Sequence, residues 1–381
     1  MAVTVVGTGL PAHKRVLLLV LAVTLGLLLI EGMTRTRQYL KYGTSANTVY
    51  TTATSVDVVS GLVVPTPSYR TRNIVINSRG FRSPELTTPK PTGTIRLAFL
   101  GGSTTFCAEV SSNETTWPHL VWKTLQQRWP NVRFDYINAA FVGYTVSESL
   151  RNLEYRIAPL EPDVVLIYEG INDLSRDTRE LAKRQGVFFV RTVESNSFFS
   201  RWSLAYYLMA TKLQMMIRQR DGTGPVGRLR FDPTQLSAGF HERLRNLVDN
   251  SRAAASVTAI ATLSQRARAG QPRGEQARAL QSLFFYNPYM SVEGLMSGVA
   301  EYNRVVRLVA GETGAVLIGD EDVIPGDDRH FIDSVHFNDT GSKAMADRVV
   351  AGLMSAAPFN ALVATRAEHT SNVAQLQAGA R

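Results

Sequence analysis

The strongest limit on how this chain can fold is the alternation of short apolar segments with segments of helical periodicity. Residues 116–129 and 146–157, which lie between such segments, repeat apolar side chains at helical spacing. A strand, helix, strand order favours parallel strands joined by right-handed crossovers. The pattern predicts an α/β fold around a five-stranded parallel sheet. The predicted strands are IRLAFL (95–100), RFDYINAAF (133–141), DVVLIYEG (163–170), SVTAIATL (256–263) and AVLIGD (315–320).

The first predicted strand ends at Gly101, Gly102 and Ser103. Glycine adopts backbone conformations closed to other residues, so the chain can turn sharply here and leave the Ser103 hydroxyl and N–H exposed. A free hydroxyl beside a free amide suits nucleophilic attack on an acyl carbon. Taken alone, the same residues also fit a simple cap of a helix or turn.

The next two strands are followed by groups that can donate a hydrogen bond to an oxyanion. Gly143 follows the second strand and can bring its N–H close to a neighbouring oxygen, and Asn172 follows the third and carries an amide donor. The carboxyl ends of parallel strands lie at one edge of the sheet. We therefore expect both residues near Ser103.

A general base is predicted in residues 327–349, where histidines stand among carboxylates. Asp333 precedes His336 by three residues, so in one tight loop its carboxylate can accept from Nδ1 and leave Nε2 facing Ser103. His330 is an alternative base. A metal site in the same acidic loop is a second alternative, but no other ligand-rich segment accompanies it, and we predict no metal.

In their order along the chain, these segments resemble the four sequence blocks of the SGNH hydrolases, also called the GDSL lipase/esterase superfamily. The resemblance extends over residues 95–355 and implies a three-layer α/β/α sandwich of flavodoxin-like type. The family has an Asp before the serine where this chain has Gly102, a variant similar to a membrane-anchored bacterial subgroup. The matching residues are Gly102, Ser103, Thr104, Gly143, Gly170, Asn172, Asp173, Asp333 and His336.

The resemblance implies a serine-dependent hydrolase of acyl esters that needs no cofactor. The residues it assigns are Ser103 as nucleophile, His336 as base, Asp333 as its orienting partner, Ser103, Gly143 and Asn172 as oxyanion donors, and Gly102, Gly170 and Asp173 as supports. An acylated cell-envelope polymer or lipid is the predicted substrate. The alternatives are an O-acyltransferase of envelope polysaccharide that uses the same residues, and a catalytically silent binding or scaffold protein.

Residues 16–30, VLLLVLAVTLGLLLI, are apolar without interruption between Arg15 and Glu31. The segment is shorter than the roughly 20 residues that span a bilayer, and no small-x-small cleavage site follows it. We predict an uncleaved signal anchor that attaches the chain to a membrane, with the catalytic domain outside the cytoplasm, in the periplasm or at the cell surface. A cleaved signal peptide is the alternative.

Charge and cysteine content bear on other functional classes. The net charge of +9 suits nucleic acid or an anionic membrane, but no nucleic-acid motif accompanies it, so we expect no nucleic-acid partner. The single cysteine, Cys107, excludes an intrachain disulfide and is expected to be buried and inert. Gly7, Gly9 and Ala12 have the spacing of a dinucleotide-binding loop, but the segment after them is apolar on every face.

The additions around the catalytic domain complete the predicted organisation. The aromatic-rich segment 198–220 is either a core-packing helix or a lid or membrane-facing surface over Ser103, with Trp202, Tyr206 and Tyr207 as candidate lid residues. The predicted parts are an anchor (1–45), a linker with a small prelude (46–93), the hydrolase domain (94–360) with a helical insertion at about 176–238, and a mobile tail (361–381).

Overall fold

The protein divides into two units. A computed structural model describes residues 11–43, 53–187, 198–221 and 229–379. The described parts of residues 1–52 and 192–214 form the smaller unit, and the rest forms the larger one.

The elements below are labelled in chain order within the described residues. The strands are β1 (Thr54–Val56), β2 (Val63–Pro65), β3 (Thr94–Gly101), β4 (Arg133–Asn138), β5 (Val164–Tyr168), β6 (Val257–Ala261) and β7 (Val316–Ile318). The helices are α1 (Ala12–Tyr42), α2 (Ser103–Phe106), α3 (Trp117–Arg128), α4 (Val146–Asn152), α5 (Ile171–Arg184), α6 (Phe198–Trp202), α7 (Leu204–Asp221), α8 (Pro233–Ala254), α9 (Arg273–Ala279), α10 (Gln281–Tyr286), α11 (Val292–Thr313), α12 (Asp339–Ser355) and α13 (Ala357–Gly379).

The larger unit is built on a parallel sheet with the strand order β4, β3, β5, β6, β7. Every residue of β3, β5 and β6 is buried, because helices cover both faces of the sheet. The helices α3 and α12 pack together in one layer, and α8 packs with α4 and α11 in the other. The predicted α/β/α sandwich with five parallel strands is confirmed. This order is flavodoxin-like: β4 lies on one side of β3, and β5, β6 and β7 lie on the other. The carboxyl end of β3 is therefore at the topological switch point, where ligands bind in folds of this kind.

The prelude before the sheet is a packed structure. The strands β1 and β2 form an antiparallel hairpin, and Leu62, Val64 and Ile76 join a hydrophobic cluster with Phe106 and Tyr144. Phe106 follows Ser103, and Tyr144 follows Gly143. The prelude therefore packs directly against two of the loops in which site residues are predicted.

Two predicted boundaries differ from the structure. Helix α5 continues to Arg184 and α8 begins at Pro233, so the insertion is shorter than the predicted 176–238. The chain after residue 360 is not a mobile tail at its start: Val363 of α13 is buried in the core, and Arg366 Nη2 donates to Asp163 Oδ1 at 2.9 Å. Phe359 and Val363, both buried near the start of α13, give the larger unit one more packed helix.

In the smaller unit, α1 is long and apolar enough to cross a membrane. Its apolar side chains from Val16 to Ile30 are mostly exposed, in contrast to those of the sheet.

Candidate active site

The segment 101–107, named here the nucleophile loop after the predicted nucleophile Ser103, leads from the end of β3 through α2. Gly101 must lack a side chain, because a Cβ there would lie 2.8 Å from the Tyr168 carbonyl oxygen. Ser103 is the first residue of α2, where backbone N–H groups have no acceptor within the helix. The turn therefore presents both the hydroxyl and the N–H of Ser103 at the carboxyl edge of the sheet.

The histidine loop, residues 333–338, brings an imidazole to this serine. His336 Nε2 lies 2.7 Å from Ser103 Oγ, and His336 Nδ1 lies 2.8 Å from Asp333 Oδ2. The other carboxylate oxygen of Asp333 accepts from the N–H groups of Val335 and His336, both at 2.9 Å. Asp333 thus fixes the ring through Nδ1 and the loop through its backbone, and leaves Nε2 directed at the hydroxyl.

Burial and charge act in opposite directions on this pair. Burial alone would raise the pKa of Asp333, but the hydrogen bond and charge of His336 and the N–H groups of the loop outweigh it and lower that pKa. Burial would lower the pKa of His336, but the hydrogen bond to Asp333 and the negative charges of Glu109 and Asp333 raise it above 6.5. The imidazole is therefore a stronger base than a free histidine.

Asn172 and Gly143 lie beside the nucleophile loop, on the loops after β5 and β4. Asn172 Nδ2 donates to the Tyr144 carbonyl oxygen at 2.8 Å, and a Cβ on Gly102 would lie 2.6 Å from the same nitrogen. This amide nitrogen carries a second proton and can donate once more. Gly143 has a φ of 83°, in the left-handed region that favours glycine. The absence of a side chain at Gly102 allows the Asn172 amide to approach the backbone next to Ser103.

Asp173 and Gly170 fix the position of Asn172. The Asp173 carboxylate is fully buried and accepts from the Val146 N–H at 3.1 Å and from Arg176 Nη2 at 3.3 Å, which joins the start of α5 to that of α4. Gly170 precedes α5 with a φ of 131°. Both predicted supports are therefore adjacent to the residue that they would support.

Sequence reasoning missed Arg82, which holds the nucleophile loop from the prelude. Its buried guanidinium donates to the carbonyl oxygens of Phe106 and Cys107 and to Asn113 Oδ1. These acceptors are more than twenty residues away along the chain, and no motif marks an arginine of this kind. The prelude thus contributes to the site without supplying a reacting group.

Glu109 is a second residue that sequence reasoning missed. Its Oε2 atom is buried and has no hydrogen-bond partner among the described residues. Burial raises the pKa of Glu109; the charge of His336 lowers it and that of Asp333 raises it further. Burial and the charges of these two carboxylates also raise the pKa of Tyr286. The available signal was a charged residue only six positions after Ser103.

The alternative base and the metal alternative have a different environment. His330 Nδ1 lies 2.7 Å from Asp327 Oδ1, while the imidazole in contact with Ser103 is that of His336. Among the residues that the structure describes, no three His, Cys, Asp or Glu side chains form a group that could hold a metal ion.

Cys107 and the candidate lid residues lie outside the reacting groups. Cys107 is buried, and burial raises the pKa of its thiol to about 12. Trp202, Tyr206 and Tyr207 belong to the smaller unit, so their function as a lid stays a prediction. Gly7 and Gly9 lie outside the described residues.

Comparison with known proteins identifies the family. The model of the GDSL-like Lipase/Acylhydrolase family matches residues 99–344, which include the nucleophile and histidine loops. No curated protein matches the chain. Among solved structures, an Axe2 variant, an acetyl xylan esterase from Geobacillus stearothermophilus, is 17% identical with a TM-score of 0.41, over 68% of this chain and 94% of its own. LAE5, an alpha/beta hydrolase from the metagenome of Lake Arreo, Spain, is 16% identical with a TM-score of 0.40, over the same shares.

Because the family match covers more than half of the chain, this protein belongs to the GDSL-like lipase/acylhydrolase family and is an ester-hydrolysing serine hydrolase.

Proposed function

We propose that Ser103, His336 and Asp333 form a catalytic triad that hydrolyses an acyl ester of the cell envelope or of a membrane lipid. One observation carries the proposal: His336 Nε2 lies 2.7 Å from Ser103 Oγ while Nδ1 is bonded to Asp333. A nucleophile, a base and an orienting carboxylate in this arrangement are the recurring machinery of acyl transfer.

The reaction proceeds in two halves. His336 accepts the hydroxyl proton as Ser103 Oγ bonds to the acyl carbon, and the N–H groups of Ser103 and Gly143 with Asn172 Nδ2 stabilise the resulting oxyanion. The imidazolium then gives its proton to the leaving alcohol as the ester bond breaks. His336 then accepts a proton from water as the water oxygen bonds to the acyl carbon, and it returns that proton to Ser103 Oγ as the acyl-serine bond breaks and the carboxylic acid leaves.

The substrate class is supported by the anchor. Helix α1 is apolar enough to cross a membrane, and it would hold the enzyme where lipids and envelope polymers are concentrated. In this proposal α1 is an uncleaved anchor and the catalytic domain is outside the cytoplasm. A reporter fused after Arg381 should be active outside the cytoplasm; activity only inside would contradict this orientation.

Covalent labelling tests the triad directly. The full chain in detergent is treated with a fluorophosphonate, and the adduct is located by mass spectrometry. We expect labelling of Ser103, none in Ser103→Ala, and much slower labelling in His336→Ala. An equal rate without His336, or no adduct in folded wild-type protein, would contradict the proposal, and the latter would favour the scaffold alternative.

Product analysis separates hydrolysis from acyl transfer. With an aryl acetate as donor, a hydrolase forms acetate at a rate that a polysaccharide acceptor does not change. A transferase forms an acetylated acceptor and consumes the donor faster when the acceptor is present. That second result would replace the hydrolase proposal with the transferase alternative while leaving the triad in place.

A further inference from the structure

The helices α6 and α7 carry an exposed apolar stripe on one face. Its members, Phe199, Trp202, Tyr206, Met209 and Leu213, are 65, 71, 36, 65 and 52% exposed. They recur at alternating spacings of three and four residues, which places them along one side of a helix. Leu204, about half a turn away from the stripe, is buried. The apolar stripe is therefore a continuous surface of the smaller unit and not a set of scattered side chains.

A carboxylate from α1 holds the start of α7. The Glu31 side chain accepts from Ser203 Oγ at 2.8 Å and from the Leu204 and Ala205 N–H groups at 2.9 and 3.1 Å. A carboxylate in this position satisfies the first N–H groups of a helix and complements its dipole. Arg35 reinforces the contact, because it donates to Glu31 at 2.7 Å and to the Trp202 carbonyl oxygen at 3.2 Å.

We propose that the apolar stripe lies in the interface of the same bilayer that α1 enters, so that α6 and α7 form a second membrane contact. The proposal rests on the membrane insertion of α1 proposed above. Glu31 is the first charged residue after the apolar segment 16–30, so its contacts place the start of α7 at the depth where the apolar part of α1 ends.

The residue types of the stripe fit lipid as its occupant. Tryptophan and tyrosine rings favour the boundary between headgroups and acyl chains, and Phe, Met and Leu partition below it. Arg35 of α1 donates to the Trp202 carbonyl oxygen, and Lys212 lies on α7 about a quarter turn from the stripe, so both long basic side chains can remain at the level of the phosphates. A second copy of the chain would cover the stripe equally well in area, but it would not account for the attachment of the stripe to a membrane helix.

Quenching by brominated lipid measures this contact. The full chain is placed in liposomes of phosphatidylcholine and phosphatidylglycerol, with or without bromine on the acyl chains. In a Trp202→Phe background, Met209→Trp adds a fluorophore to the stripe and Lys212→Trp adds one about a quarter turn away. The Trp202→Phe parent supplies the signal of the other tryptophans, which is subtracted. We expect brominated lipid to reduce the added fluorescence about twofold or more in Met209→Trp, and much less in Lys212→Trp.

Flotation and hydrolysis in the same samples separate the outcomes. Chains that float with the liposomes but show no excess quenching in Met209→Trp would overturn the stripe proposal alone. Chains that do not float would overturn the anchor and the stripe proposal together, whereas loss of ester hydrolysis in floating chains concerns only the proposed function. Disulfide-linked dimers of Met209→Cys, together with no excess quenching in Met209→Trp, would identify a second copy as the occupant and overturn the proposal.

Glu31→Gln tests how the stripe is held. The neutral amide keeps one oxygen acceptor but loses the charge that complements the α7 dipole, so we expect the quenching of Met209→Trp to fall toward the Lys212→Trp value. Unchanged quenching would show that Glu31 is not the group that holds the start of α7 in place.

Discussion

The nucleophile loop and the histidine loop meet at one hydrogen bond, yet they are held in different ways. The nucleophile loop is fixed by side chains from distant parts of the chain. Besides Arg82, Trp117 Nε1 donates to the Thr104 carbonyl oxygen and Asn138 Nδ2 donates to that of Thr105, both at 3.0 Å. Its shape therefore depends on the completed fold.

The histidine loop is held largely by its own atoms. Asp333 accepts two backbone N–H groups of the loop, and the Ile332 N–H donates to the His336 carbonyl oxygen at 2.9 Å. Its contacts with distant residues converge on Ser334, whose hydroxyl lies 2.7 Å from that of Ser282 and whose carbonyl oxygen accepts from the Arg266 N–H at 2.8 Å. The comparison shows that His336 is placed by a short stretch of sequence and Ser103 by long-range packing, so variants at the two loops should lose activity in different ways.

Removal of the hydrogen bond between Ser103 and His336, where the two loops meet, gives the largest expected effect. Ser103→Ala should lower kcat for an aryl acetate by about 10⁴-fold or more, because the acyl-enzyme can no longer form. His336→Ala in the same chain should cause little further loss, since the two residues act as one unit. A double variant that is a further hundredfold slower would show that the two loops act independently.

Asp333→Asn removes the negative charge beside His336 Nδ1 while keeping the shape of the histidine loop. The amide oxygen can still accept from the Val335 and His336 N–H groups, so the melting temperature should change little. The ring loses its charged acceptor and its fixed tautomer, and kcat should fall by about 10³- to 10⁴-fold. Asp327→Asn, beside His330, is the matched control and should retain activity. Equal losses in both variants would point to a general effect of the acidic loop.

The same difference explains what the sequence could predict. The strands β3 and β5 were predictable because burial on both faces leaves nearly continuous apolar runs, and Asp333 with His336 because their geometry is encoded within four residues. Arg82 was not predictable, since its role follows from carbonyl oxygens that only the finished fold brings to it. The three-residue strands β1 and β2 are too short to show a period.

Arg82→Met should destabilise the nucleophile loop, because it removes the long-range hydrogen bonds that Arg82 donates to this loop. Methionine fills much of the volume but leaves the buried carbonyl oxygens of Phe106 and Cys107 without their donor, which should cost about 3 kcal/mol of unfolding free energy. Denaturant unfolding measures this loss. Arg79→Met, on an exposed arginine of the same segment, should change stability by less than about 0.5 kcal/mol. Similar values for both would remove Arg82 from the support of the loop.

Gly102→Ala should disturb the oxyanion donor without unfolding the loop. The new methyl group would lie 2.6 Å from Asn172 Nδ2 and would displace this side-chain end. Loss of one oxyanion donor costs about 10²-fold in kcat, so a displaced donor should cost about 10-fold or more, with KM nearly unchanged. Gly311→Ala, where a Cβ meets no atom within 4 Å, should leave kcat unchanged. A fully active Gly102→Ala enzyme would show that the Asn172 amide has room to move.

The smallest expected effect concerns Glu109, two residues beyond the nucleophile loop, whose carboxyl group interacts with His336 of the histidine loop. As the proposed base, His336 works only as neutral imidazole, so activity should fall on acidification, with a midpoint above the pKa of a free histidine because the hydrogen bond to Asp333 and the nearby carboxylates raise the pKa of His336. Glu109→Gln removes one of the negative charges that favour the imidazolium. The midpoint should therefore move to lower pH, while the alkaline plateau of kcat/KM stays the same. Glu114→Gln, whose carboxylate interacts with His119 and Arg82 instead, should leave the midpoint in place.

The measurement is kcat/KM for an aryl acetate across the acid limb. Equal midpoints in wild type and Glu109→Gln would mean that the histidine loop sets the basicity of His336 alone, and that the two loops share only the hydrogen bond at which they meet.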